Sequence, residues 1–207
     1  MRTAAQIDRS AINRRNFLYA MTAAVGVSGT VVGTWPLIDQ MNPDARTRAA
    51  NDDIVIDLAA LLPGKPHVVR WRNFPIFVVQ RTTAMLDAMQ DNTLVAQLYD
   101  RDSHTHQQPS YAQNWHRSID PAFAVLVGVC TKCTVVPAYC SDISSFCVAG
   151  GYVCPFCASH YDPAGRAYSG ISRYNLPVPP HKLGKSQIEL GRNASDESFS
   201  LTSVERI

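Results

Sequence analysis

Four of the six cysteines form two identical steps, Cys130-x2-Cys133 and Cys154-x2-Cys157, separated by 20 residues. This spacing constrains the fold more than any other feature, because both turns must return to one point if the four sulfurs are to share a metal. The donor set suits tetrahedral zinc, a mononuclear iron or a four-cysteine 2Fe-2S cluster. Two disulfides among the same four cysteines are the alternative in an oxidising compartment. Metal is preferred, since paired Cys-x-x-Cys turns on adjacent strands converge four sulfurs. All six cysteines lie between Cys130 and Cys157, which marks a site and not a scattered framework of bridges.

The segments around the pairs read as β-structure. Ala122–Val129 is an apolar run leading into Cys130, and Gly150–Val153 does the same for Cys154, the layout of a metal-ribbon subdomain. Upstream, Ile54–Leu58, His67–Arg72 and Pro75–Arg81 are β-rich runs, with a turn at Leu62–Pro66 and a corner at Asn73-Phe74. Thr82–Tyr99 carries Met85, Leu86, Met89, Leu94 and Leu98 near helical spacing and predicts one amphipathic packing helix. Leu176–Pro180 reads as extended edge, because proline cannot donate to a ladder, and Gln187–Leu190 as a last short strand. His104, His106 and His116 stand at irregular spacing in a polar stretch and read as solvated side chains.

The amino terminus belongs to another solvent. Phe17–Ile38 is a run of 22 residues without charge, about 33 Å as a helix against a hydrocarbon core of about 30 Å. It follows Asn13-Arg14-Arg15-Asn16-Phe17-Leu18, a twin-arginine export pattern. It ends Thr34-Trp35-Pro36-Leu37, with an aromatic at the interface position, so the run reads as an uncleaved anchor. Arg2, Arg9, Arg14 and Arg15 precede it, with Arg46 and Arg48 at lower density beyond. The positive-inside rule therefore puts the N-terminus in the cytoplasm and the body in the periplasm, a single pass through the inner membrane. Residues 1–16 are read as the cytoplasmic signal segment, 17–38 as the anchor, 39–53 as a hinge, 54–191 as the folded body with a metal subdomain near 128–168, and 192–207 as a disordered tail. A net charge of +2 from 19 basic and 17 acidic residues gives no field that would call for nucleic acid.

Several separated runs, in order, resemble the Rieske iron-sulfur subunit of bacterial ubiquinol-cytochrome c reductase, the cytochrome bc complex. They include Arg14–Leu18, Trp35-Pro36, Gln40–Pro43, Trp71–Phe77, Gln108–Ser118, Val127–Thr131, Gly150–Pro155, Ser159–Arg166 and Asn175–Pro180. The resemblance implies a mainly β chain: a transmembrane helix followed by an antiparallel β-sandwich carrying a small metal-ribbon subdomain. It also implies a 2Fe-2S cluster, cytochrome b and cytochrome c1 as partners, and ubiquinol as electron donor in a respiratory chain. The family boxes are Cys-Thr-His-Leu-Gly-Cys and Cys-Pro-Cys-His-Gly-Ser, where one cysteine and one histidine of each bind the cluster and the other cysteines form a disulfide. Here Lys132 and Val135 stand for the first histidine and disulfide cysteine, while Phe156, Cys157 and Ala158 replace Cys-His-Gly in the second box. Cys130 and Cys154 keep their family roles, and Cys133 and Cys157 complete a four-cysteine set. Cys140 and Cys147 are left over, and their short loop allows a disulfide replacing the family bridge, although sequence does not fix the pairing. His160 follows Cys157 at a ligand-compatible spacing, but the family places it outside the cluster shell.

In the family, the imidazoles raise the reduction potential and one accepts the quinol proton. Histidine-ligated clusters span about −150 to +300 mV, against about −400 mV for plant-type all-cysteine clusters. Thiolate replacement therefore opposes oxidation of ubiquinol, and a protonated Lys132 has no lone pair with which to take a proton. Three readings stand: an electron-transferring Rieske-type subunit, a non-redox accessory subunit built on a zinc site, and a low-potential iron carrier.

Overall fold

The computed structural model of the chain describes residues 9–42, 53–141, 147–195 and 198–207. The chain divides into an N-terminal unit, Met1–Arg48, and a body, Ala49–Ile207. The expected hinge falls largely outside the described residues.

Helix α1 (Arg9–Asp39) has 31 residues, longer than the uncharged run it contains. Its Arg14–Asp39 stretch, with a mean hydropathy of 1.4, is long and apolar enough to cross a membrane. Phe17, Leu18, Val25, Val32 and Leu37 are all exposed on it, a continuous apolar surface of the kind that lipid covers. The serine and threonine hydroxyls within the run are satisfied by the helix itself. Thr22 donates to Leu18 O at 2.9 Å, Thr30 to Gly26 O at 2.8 Å and Thr34 to Thr30 O at 2.8 Å, and Ser28 donates to Ala24 O. None of these groups needs water, which is the condition for lying in hydrocarbon.

Among the described residues, the body holds three small antiparallel sheets. The first runs in the order β1 (Ile54–Asp57), β10 (Gln187–Leu190), β9 (His181–Leu183). The second is β2 (Pro66–Trp71), β3 (Phe74–Gln80), β4 (Phe123–Val127). The third is β5 (Ala138–Tyr139), β6 (Tyr152–Val153), β7 (His160–Tyr161), β8 (Ala167–Ser169).

The second sheet is apolar on both faces, and side-chain alternation assigns those faces to two cores. Ile76 and Val78 of β3, with Val125 and Val127 of β4, pack with Trp71, Ile56, Ile188 and Leu190 against the first sheet. Phe77, Val79, Ala124 and Leu126 point the other way, into a core shared with Tyr152, Tyr161, Cys130, Cys154 and Cys157. The part of the body that carries the cysteine pairs therefore rests on a sheet whose other face is packed against the first sheet. At the joint, the Phe77 ring stacks on Tyr152 with centroids 5.2 Å apart. A Cβ on Gly128 would lie 2.5 Å from that ring, so only glycine admits the contact.

Three expectations are corrected. The β2–β3 corner is Arg72-Asn73, both with positive φ (46° and 68°), and Trp71 pairs with Phe74. That is a two-residue hairpin turn whose twist matches the strands, which moves the corner back by one residue. The predicted helix over Thr82–Tyr99 is two short ones, α2 (Thr83–Met89) and α3 (Asn92–Val95). Asp91 breaks it by accepting the N–H groups of Thr93 (2.7 Å) and Leu94 (3.4 Å), so its side chain starts a new helix where the old one would continue. The tail read as disordered contributes Phe199 and Leu201, both buried, to the core of the first sheet, with Val204 and Ile207 packed against it. These widely spaced apolar residues are hidden in a polar composition.

Candidate metal centre

The two Cys-x-x-Cys turns have the same local geometry. The Cys130 N–H donates to Val135 O at 2.8 Å, and the Thr134 N–H returns to Cys130 O at 2.9 Å. In the second turn, the Cys154 N–H donates to Ser159 O at 2.8 Å, and the Ala158 N–H returns to Cys154 O at 3.0 Å. Thr134 and Ala158, at equivalent positions, both take positive φ (55° and 49°). Each turn is thus a knuckle that closes on itself and leaves its two thiols pointing outward from the backbone. β6 leads into the second knuckle and β7 leaves it, while β4 feeds the first, so the sheets bring the two face to face.

The sulfurs of Cys130, Cys133, Cys154 and Cys157 all lie within 4.8 Å of one another. Cys130 and Cys154 are fully buried, Cys157 is nearly so and Cys133 is partly exposed. Cys130 and Cys157, from opposite knuckles, are 3.6 Å apart at sulfur. The four free thiols are therefore gathered, and Cys140 and Cys147 pair separately as a disulfide across 7 residues.

Hydrogen-bond donors converge on these sulfurs from three further segments. Thr131 Oγ1 donates to Tyr174 O at 3.0 Å, so the hydroxyl of Tyr161, 3.3 Å from both Thr131 Oγ1 and Cys130 Sγ, is left to donate. Burial and the Cys130 contact hold the Tyr161 phenol well above its usual range, which keeps it a donor. Ser159 Oγ accepts the Ser172 N–H at 2.8 Å and turns its own proton to Cys157 Sγ at 3.1 Å. Ser172 Oγ also meets Thr131 Oγ1 at 2.6 Å, so one loop ties both knuckles together. Gly170 makes this approach possible: with φ at +92°, a Cβ there would lie 2.4 Å from Ala158 O and Ser159 Cα. Burial opposes ionisation of Cys157, but the bonds from Ser159 and from the Cys133 and Cys154 thiols bring it down to about 6. Hydrogen bonding to Cys157, then burial, pushes Cys133 up to about 12.

The segment that follows the second knuckle carries a buried carboxylate, Asp162, with arginines around it. Asp162 Oδ1 accepts the N–H groups of Ala164 (2.9 Å) and Arg166 (2.8 Å), and Oδ2 takes Arg166 Nε at 2.7 Å. Arg81 and Arg117 are buried nearby and bond to backbone carbonyls, including Pro163 O and Ala164 O. Burial pulls both guanidiniums down, to about 10 and about 9, and Asp162 is the largest influence holding them up.

The sequence-derived ligands all meet, and among the described residues no histidine joins them. The His160 ring lies against Tyr168, with centroids 5.8 Å apart. His104 and His106 are exposed, and His116 is half-buried beside Ser118 Oγ at 2.8 Å. Sequence reasoning gave no role to Tyr161, Ser159, Thr131 or Ser172. The first three flank the cysteines inside the quoted motif runs, which was the available clue, whereas Ser172 reaches the site only through the tertiary fold.

Similar proteins agree on the kind of chain this is. A family model described as "Ubiquitinol-cytochrome C reductase Fe-S subunit TAT signal" matches residues 4–44. The ubiquinol-cytochrome c reductase iron-sulfur subunit of Allochromatium vinosum is 36% identical over 173 residues, 81% of this chain and 83% of that one. The subunit of the same name from Bradyrhizobium diazoefficiens is 34% identical over 192 residues, 92% of this chain and all of its own. That of Blastochloris viridis is 36% identical over 188 residues, 90% and 97% of the two chains. With a twin-arginine-type leader, an apolar helix and full-length likeness through both cysteine boxes, the chain belongs to the family of ubiquinol-cytochrome c reductase iron-sulfur subunits.

Proposed function

We propose that this chain takes the iron-sulfur-subunit position in a ubiquinol-cytochrome c reductase, on the path of electrons from ubiquinol to a c-type cytochrome. In this reading α1 anchors it in the inner membrane, the N-terminus is cytoplasmic, and the periplasmic body meets cytochrome b and cytochrome c1. The observation that carries the proposal is coincidence of place. The one group of metal donors among the described residues falls on the two boxes where the resemblance expects a cluster, in a chain that matches its relatives nearly end to end.

The residues do not fit the histidine-ligated cluster that the resemblance implies. The donor set is four sulfurs, and the position of the first imidazole holds Lys132, which is exposed. A metal held there would supply electron transfer only if redox-active. This chain's own residues hold four thiols together, direct Tyr161 and Ser159 at their sulfurs, and exclude water from Cys130 and Cys154.

One observation favours a second reading, a non-redox accessory subunit stabilised by zinc. Quinol oxidation needs a proton acceptor beside the electron acceptor, and where the family presents its two imidazoles this chain has the exposed ammonium of Lys132 and the buried thiol of Cys157. The test is to tag the chain at native expression, solubilise the membranes and measure recovery of cytochromes b and c1. Quinol-dependent cytochrome c reduction is then measured with and without the gene. Co-purification with lost turnover on deletion supports the electron-transfer role, co-purification with unchanged turnover per cytochrome supports the accessory role, and recovery of neither cytochrome refutes both.

A further inference from the structure

The separation of the sulfurs says how many metal ions fit between them. A tetrahedral ion with metal–sulfur bonds of about 2.3 Å has sulfur–sulfur edges of about 3.8 Å. A two-iron cluster is two such tetrahedra sharing an edge, and the same bond length puts cysteine sulfurs on opposite irons about 5.3 and 6.5 Å apart. The four sulfurs here are all within 4.8 Å of one another, and Cys130 and Cys157 are at 3.6 Å. Every pair is thus shorter than the shortest separation across a two-iron cluster.

The knuckles give an independent reason. The family boxes place their ligands unequally, at Cys-x-His and Cys-x-x-His, whereas this chain uses Cys-x-x-Cys twice. Both turns close with the same pair of backbone bonds and the same positive-φ residue. Equal turns facing each other present their four thiols symmetrically about one centre.

We infer that this centre binds a single tetrahedral transition-metal ion, zinc or one iron, through Cys130, Cys133, Cys154 and Cys157, in place of a two-iron, two-sulfide cluster. The inference takes up the metal centre of the reading above. Its test counts ions and sulfide, so it stands or fails separately from partners and turnover.

The experiment uses the full-length chain, purified anaerobically in detergent, with metal and acid-labile sulfide determined per chain. The result expected is one zinc or iron and no sulfide, with an X-ray absorption spectrum showing four sulfur neighbours and no metal–metal scattering. Two irons with two sulfides, or a metal–metal vector, would overturn the inference. If the chain is isolated without metal, its thiols are reduced and it is titrated with Co2+ alone, and in parallel with Fe2+ plus sulfide. A tetrahedral thiolate spectrum that saturates at one Co2+ per chain, lost in Cys133→Ser, supports a single-ion site. Failure to take up Co2+, or assembly of a sulfide-containing cluster from the parallel mixture, refutes it.

Discussion

Replacing Asp162 by asparagine tests how the centre is held from behind. The side chains of Asp162 and Arg166 are 0% and 2% exposed, and their closest charged atoms are 2.6 Å apart. Asparagine keeps the shape, and its Oδ1 can still accept the Ala164 and Arg166 N–H groups. Its Nδ2, however, brings a donor to the place where Oδ2 received Arg166 Nε. Removing one partner of a buried ion pair costs about 3–5 kcal/mol, because the other charge is left without compensation. Here the loss extends further, since Asp162 is also the largest compensating influence on the buried Arg81 and Arg117. With a urea slope of about 2 kcal/mol per M, Asp162→Asn should lower the midpoint by about 2 M. The assay is urea unfolding of the metal-loaded chain in detergent, followed by fluorescence of the fully buried Trp71. Arg166→Met removes a charge along with its need for a partner, and should cost less. A shift of under about 0.5 M for Asp162→Asn, corresponding to about 1 kcal/mol, or a larger loss in Arg166→Met, would refute the account of one carboxylate serving three arginines.

Burial holds His181 down at about 4 in the folded body, even though its Nδ1 meets Pro179 O at 2.9 Å. The unfolded chain takes up a proton below about 6.5 while the folded one stays neutral. Stability from this group is therefore whole above pH 6.5 and falls by at most about 3 kcal/mol between pH 6.5 and 4. Acid titration of the unfolding midpoint in the wild type and His181→Gln measures this, with a shallower decline expected in the variant. Gly170→Ala should cost about 2–4 kcal/mol through positive φ and overlap with the Ala158–Ser159 backbone, and chelator-driven metal release should accelerate because Ser172 is displaced. Cys140→Ser with Cys147→Ser opens an eight-residue loop, given their separation of 7, and the chain-entropy relation predicts a loss of about 2.5 kcal/mol. Metal stoichiometry should be unchanged in that double variant, which separates the bridge from the centre.

What could be read in advance was whatever repeats locally. The anchor, the strands Ile54–Asp57, Phe74–Gln80 and Gln187–Leu190, and the four thiols follow from uncharged length, alternation or spacing. The disulfide partners became clear only in the structure, because spacing permits several pairings. Asp91 looks like any surface acid in a helical pattern until its side chain is seen to cap the next turn. Phe199 and Leu201 lie in a polar tail whose composition outweighs them, although two well-placed apolar side chains suffice to dock it. The donors on the sulfurs were least visible. Tyr161 lies 31 residues from Cys130, and Ser172 lies 41 from Thr131, so each contact exists only once the third sheet and the following loop have closed.

Those donors bear on how a site can change its ligands without losing its fold. Four thiolates around a divalent ion carry a net charge of −2, and burying that charge is favourable only if hydrogen bonds meet it. Tyr161 serves Cys130, Ser159 serves Cys157, and Cys133, the most exposed, is open to water. Lys132, Arg173 and Arg206 line a neighbouring cavity with Thr131 and Ser172 and add positive potential beside the knuckles. The surroundings are therefore suited to sulfur anions. The Asp162 arginine set, by contrast, bonds to backbone carbonyls and to its own carboxylate and not to the cysteines. This part of the bracing is thus separate from the identity of the ligands. A chain of this family can exchange histidine for cysteine at its metal boxes while the three sheets that position those boxes remain as they are.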